Sequence, residues 1–210
     1  MICLCTAKSV RSGRTYSVMN DQSFTQLPSD LPIPEDDGAC VHLGGSDLPD
    51  LPLVSASGHH VNLRHREGLT VLYVYPLTGR PGTPLPPGWD DIPGARGCTP
   101  ESCAFRDSYA EIRQLGADVF GLSTQGNEYQ REVRERLHLP FDLLSDEDFR
   151  FSQALSLPTF TVASMRLLRR VTLICESGVV VRVFYPVFPP DKHPSDVVSY
   201  LKTRSGSTIQ

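Results

Sequence analysis

The apolar and polar positions change period several times along the chain, and each change predicts an element. Val71-Leu72-Tyr73-Val74-Tyr75 is an unbroken apolar and aromatic run stopped by Pro76, the pattern of a buried strand. Ala104, Tyr109, Ile112 and Leu115 then recur at helical spacing and stop before Gly116. A second strand is expected at 118–123, a charged helix at 129–137 with Pro140 beyond its end, and a short strand at 142–144. Asp146-Glu147-Asp148 opens a third helix. Residues 170–175 and 179–184 read as a strand pair around the turn Glu176-Ser177-Gly178, and 195–201 as a last helix. Strands alternating with helices, then a hairpin and a helix, predict an α/β sandwich with a central mixed sheet flanked by helices.

Upstream, residues 1–45 hold no sustained period, and Pro28, Pro32, Pro34, Asp36, Asp37 and Gly38 mark a poorly ordered extension. Gly44-Gly45-Ser46 is the expected boundary, leaving one domain at 46–203 and a flexible tail at 204–210. The apolar start from Met1 to Ala7 precedes Lys8, Arg11 and Arg14, the wrong order and length for a secretory signal, and Met19 offers an alternative start. Composition narrows the function classes. With 20 Lys+Arg against 24 Asp+Glu the formal net charge is −4, which argues against a nucleic-acid binder. No apolar run approaches the ~18 residues of a membrane-spanning helix. Six cysteines in 210 residues are too sparse for a disulfide scaffold. A cytoplasmic domain is expected, with cysteines that need individual readings.

The segment from Thr78 to Gly97 is rich in Pro and Gly and holds the single tryptophan, Trp89. It reads as a lid or rim, or as an ordinary surface loop. Directly after it, Gly97-Cys98-Thr99-Pro100-Glu101-Ser102-Cys103-Ala104-Phe105-Arg106-Asp107 opens the first helix, with Thr99 as expected cap and Pro100 at the first helical position. Cys98 then sits at a helix N-terminus, where unpaired N–H groups and the dipole favour an anion, which makes it a candidate nucleophile. In regular helix the α-carbons of Cys98 and Cys103 lie roughly 8–9 Å apart. A disulfide spans less than ~7 Å, so these two can join only after the first turn unwinds. The bland alternative is that both are packed thiols, the reading given to Cys40 and Cys175. Cys3 and Cys5 with Cys98 and Cys103 would make four zinc ligands, but neither spacing is a common zinc motif, so no metal and no cofactor is expected. His59, His60 and His65 read as solvated turn residues.

Tyr75-Pro76 and the Gly-Cys98-Thr-Pro-Glu-Ser-Cys103-Ala-Phe-Arg-Asp segment closely resemble the active-site strand and helix of peroxiredoxins of the bacterioferritin comigratory protein (Q-type) subfamily. Pro49 to Pro52, Val119 to Thr124, Leu143 to Asp146 and Arg170 to Ile174 agree in order, so the resemblance covers residues 46–202. It implies a thioredoxin-like fold and a thiol peroxidase acting on hydrogen peroxide or small organic hydroperoxides, regenerated by thioredoxin or a glutaredoxin-type dithiol. It further implies Cys98 as the peroxidatic cysteine, Cys103 as the resolving cysteine, and Arg170 as the side chain holding thiolate and peroxide. A monomer or weak homodimer is expected. The chain departs from the pattern in one place. The family's motif proline stands seven residues before the cysteine and a Thr or Ser three before it; here Pro76 is 22 residues before Cys98 and Ala95 is at the hydroxyl position. Fifteen residues are read as inserted, with Thr78 or Thr83, or the backbone at Gly94 and Gly97, as the expected substitutes, and Arg96 as added positive charge. Without a hydroxyl donor, a redox-sensing interaction protein with a Cys98–Cys103 switch and little turnover is the rival, and a non-catalytic thioredoxin-like module is the third reading.

Overall fold

The apolar run before Pro76 forms the centre of the sheet. In the computed structural model, which describes residues 27–206, it is β3 (Leu69–Val74), with its last five residues buried. β3 pairs in parallel with β4 (Ala117–Ser123), which pairs in parallel with β5 (Asp142–Ser145). On its other side β3 pairs antiparallel with β8 (Val171–Glu176), and β8 with β9 (Val179–Phe184). β1 (Pro52–Ser55) and β2 (His60–Asn62) complete seven strands in the order β2-β1-β5-β4-β3-β8-β9. The mixed sheet is the expected one.

Two side-chain layers follow from the two-residue period of the strands. Val71 and Tyr73 of β3, Val119 of β4 and Ile174 of β8 face α1 (Cys98–Gln114), α2 (Asn127–Arg136) and α4 (His193–Gly206), whose Phe105, Ile112, Val133, Val197 and Leu201 fill that side. Leu72, Val74, Leu122 and Leu173 point the other way, onto Phe151 of α3 (Arg150–Ala154) and onto Leu43 and Leu48. Tyr73 stacks on Phe105 with centroids 4.4 Å apart. Its ring passes so close to β4 that a Cβ at Gly121 would lie 2.7 Å from Tyr73 Cζ, so only glycine fits there.

Several expectations are corrected. Of the segment expected to be poorly ordered, residues 1–26 lie outside the described residues, together with Cys3, Cys5 and Met19. From residue 40 onward the chain belongs to the domain: Cys40 and Leu43 are buried, and Gly45 and Leu48 donate backbone hydrogen bonds to Val180 and Gly178 beside β9. The third helix starts at Arg150, not Asp146; Asp146 instead accepts from the N–H groups of Phe151 and Ser152, both at 2.9 Å. The last helix runs through Gly206 and takes in residues expected in a flexible tail. β1, β2 and the separate hairpin of β6 (Thr159–Val162) and β7 (Met165–Leu168) are not among the expected strands, because each carries too few residues to show a period. His60 opens β2, although it, His59 and His65 are exposed as expected.

His193, the first residue of α4, is buried between the rings of Phe105 and Phe184, with Asp196 at 3.7 Å and the Arg170 cation nearby. Burial lowers its pKa from 6.5 to about 4. The unfolded chain therefore takes up the proton first, and acidification between those values favours unfolding. In urea titrations from pH 7 to pH 4, wild type should lose ~3 kcal/mol relative to His193→Phe, since each tenfold loss of proton affinity on folding is worth ~1.4 kcal/mol.

Candidate active site

The parallel strands β3 and β4 run in one direction, and α1 leaves the sheet at their C-terminal end after the long segment 77–97. Gly97 precedes the helix with φ of 107° and no side-chain cap. A Cβ there would collide with Pro190 Cγ and lie 2.8 Å from Leu27 Cδ2, so glycine is required by both conformation and space. The cap is Gly97, not Thr99 as expected, and Cys98 rather than Pro100 is the first helical residue, which puts its side chain at the unpaired end of α1.

Arg170, immediately before β8, is the side chain around which the site is organised. Only 2% of it is exposed, whereas an arginine at a strand start is ordinarily on the surface. Its Nη2 donates to Cys98 Sγ at 3.2 Å and to the carbonyls of Ala95 and Arg96 at 3.3 Å, and its Nη1 pairs with the buried carboxylate of Glu101. The Cys98 thiol donates to the Ala95 carbonyl at 3.6 Å. Burial pushes the Cys98 thiol up; Arg170 and the N–H of Leu77 pull it back, and Glu101 pushes it up again. Cys40 and Cys175 have no such counterweight, and burial drives both to about 12, which fits inert packed thiols. Burial also lifts the Glu101 carboxyl to about 7 against the pull of Arg170. Two groups that are anions when ionised thus share one guanidinium in a dry site.

Cys103 lies farther along the same helix, half-buried, with Arg106 and Arg136 opposing the burial that raises its pKa. Both cysteines are free thiols. The hydroxyl expected from the inserted segment is not supplied. Thr78 is fully buried and donates to Gln125 Oε1 at 2.9 Å, while Thr83 is exposed. The hydrogen-bond donor on Cys98 Sγ is Arg170 Nη2. Arg96 is turned to Asp90, at 3.0 Å, and lines the recess over Cys98. Glu101 is a site residue that the sequence reading does not single out, although a signal is present: three residues after Cys98, it shares that face of the helix.

Removing the carboxylate that competes for Arg170 should make Cys98 easier to ionise. In a Cys103→Ser background, Glu101→Gln should shift the pH profile of Cys98 alkylation to lower pH and speed alkylation at neutral pH several-fold. An unchanged profile would show that Glu101 does not share the cation.

Comparison with known proteins agrees with this geometry. The Redoxin family profile matches residues 43–201. The chloroplastic peroxiredoxin Q of Sedum lineare is 31% identical over 160 residues, which cover 76% of this chain and 77% of the relative. That of Oryza sativa subsp. japonica is 30% identical over 76% of this chain, which spans 66% of the relative's length. Among solved structures, Xanthomonas campestris peroxiredoxin Q superposes with a TM-score of 0.58 at 25% identity, covering 75% of this chain and 95% of that one. Peroxidoxin BcpB of Mycobacterium tuberculosis does so at 0.60 and 23%, covering 76% and 96%, a likeness of fold. The thioredoxin-like arrangement is thus that of known relatives, and the chain belongs to the Redoxin family as a peroxiredoxin of the Q type.

Proposed function

We infer that the protein is a thiol-dependent peroxidase in which Cys98 reduces a hydroperoxide and Cys103 resolves the product. The observation that carries this reading is the 3.2 Å contact of the buried Arg170 with Cys98 Sγ at the start of α1. A guanidinium there favours thiolate over thiol and can equally hold the peroxide oxygens as charge develops on the leaving one. The Cys98 thiolate attacks the nearer peroxide oxygen; the O–O bond breaks, the leaving oxygen takes a proton and departs as water or alcohol, and Cys98 becomes a sulfenic acid. Cys103 then attacks that sulfur, an S–S bond forms, and water leaves. An external dithiol returns two electrons by exchange through a mixed disulfide. Thioredoxin or a glutaredoxin-type protein suits that step, and hydrogen peroxide or a small organic hydroperoxide suits the first. With no hydroxyl at Ala95, Arg170 is the donor that remains on the sulfur.

The test is a thioredoxin-coupled peroxide assay on wild type, Cys98→Ser and Cys103→Ser. Turnover should vanish in Cys98→Ser. Cys103→Ser should consume about one equivalent of peroxide and then turn over poorly. Full turnover in Cys98→Ser overturns the assignment. A disulfide that forms without turnover in wild type would make the protein a redox switch.

A further inference from the structure

The segment Thr78 to Gly97 lies against the catalytic thiol, and it is built as a fixed wall. Trp89, only 3% exposed, forms a core of its own with Ala95, Val162 and Leu167, joined by Leu77, Leu85, Ile92 and Phe160. The rings of Trp89 and Phe160, the latter on β6, are 6.0 Å apart. The wall is fastened at both ends. Near its start, Tyr129 and Gln125 bond the Thr78 carbonyl at 2.9 and 3.3 Å, and Arg136 bonds that of Gly79 at 3.0 Å. Near its end, Arg170 holds the carbonyls of Ala95 and Arg96. A short helical turn at Trp89–Asp91 sets the indole between these anchors.

What remains open above Cys98 is a recess of about 10 Å³, room for the centre of little more than one water-sized molecule. Leu77, Leu85 and Trp89 wall it on the side of the segment, and Thr99 and Pro100 of α1 on the other. A hydroperoxide must bring its O–O bond to Sγ, so the atom attached to the far oxygen has to pass between these walls. A proton or an unbranched CH₂ is narrow enough to follow. A tertiary carbon places three substituents at that depth, where apolar side chains are already packed and overpacking is costly.

Resting on the peroxidase reading, we propose that the segment is a steric filter, with Leu85 and Trp89 as its specificity-determining side chains. It admits hydrogen peroxide and unbranched hydroperoxides and rejects tertiary ones. Single-turnover oxidation of the reduced full chain tests this without any reductant protein. Sulfenic acid and disulfide formation are followed by mass spectrometry, and the fluorescence of Trp89, the single tryptophan, serves as a second reporter. Wild type should oxidise with hydrogen peroxide at least about tenfold faster than with tert-butyl or cumene hydroperoxide, and with n-butyl hydroperoxide in between. Leu85→Ala, at a half-buried position, should raise the tertiary-to-hydrogen-peroxide rate ratio by about tenfold. Leu85→Val should fall between the two. Equal wild-type rates with all these peroxides, or a ratio unmoved by both Leu85 variants, overturns the filter. Failure of every peroxide to oxidise Cys98 would instead overturn the peroxidase reading.

Discussion

A guanidinium removed from water has to be neutralised, and the active site of this protein is the set of groups that do so for Arg170. An isolated buried cation costs several kcal/mol even after relaxation. Arg170 meets that cost with the Glu101 carboxylate, two carbonyls from the end of the inserted segment, and Cys98 Sγ. The same contacts therefore fix three parts of the molecule at once: the first turn of α1, the end of the loop before it, and the start of β8. They also tie the ionisation of the thiol to that of Glu101, because both draw on one charge.

The sheet makes that arrangement reproducible. The buried β3 carries Tyr73 under Phe105 of α1, and Gly121 lets the tyrosine lie flat across β4. The helix that bears both cysteines is consequently seated on an aromatic stack, and Gly97 lets the chain turn into it against Pro190. Chemistry at Sγ thus stands on a rigid base, whereas the wall facing it is a separate small core.

Much of this is legible in the chain. Four consecutive buried apolar residues of β3, Val71 to Val74, leave with Tyr75 a continuous apolar run, and the helical spacing through Ile112 is preserved because α1 buries one face. The pair Cys98 and Cys103 stands out through its place at a helix start. Arg170 is picked out by resemblance alone, since nothing local to a strand start announces that an arginine is enclosed from all sides. Glu101 stays hidden for the related reason that acidic residues at helix starts ordinarily serve the dipole. The short strands β1, β2, β6 and β7 owe their existence to partners that their own few residues do not announce.

Glu101 stands between the two cysteines in the chain. Cys98 and Cys103 can bond only if the turn between them opens, and the carboxylate that balances Arg170 lies within that turn. The Arg170–Glu101 ion pair thus sits inside the one turn that separates the two thiols. In the dithiol form the same turn therefore carries a thiol, a buried carboxylate and, five residues on, a second thiol, so the charge balance at Arg170 and the helical state of this turn are one and the same constraint.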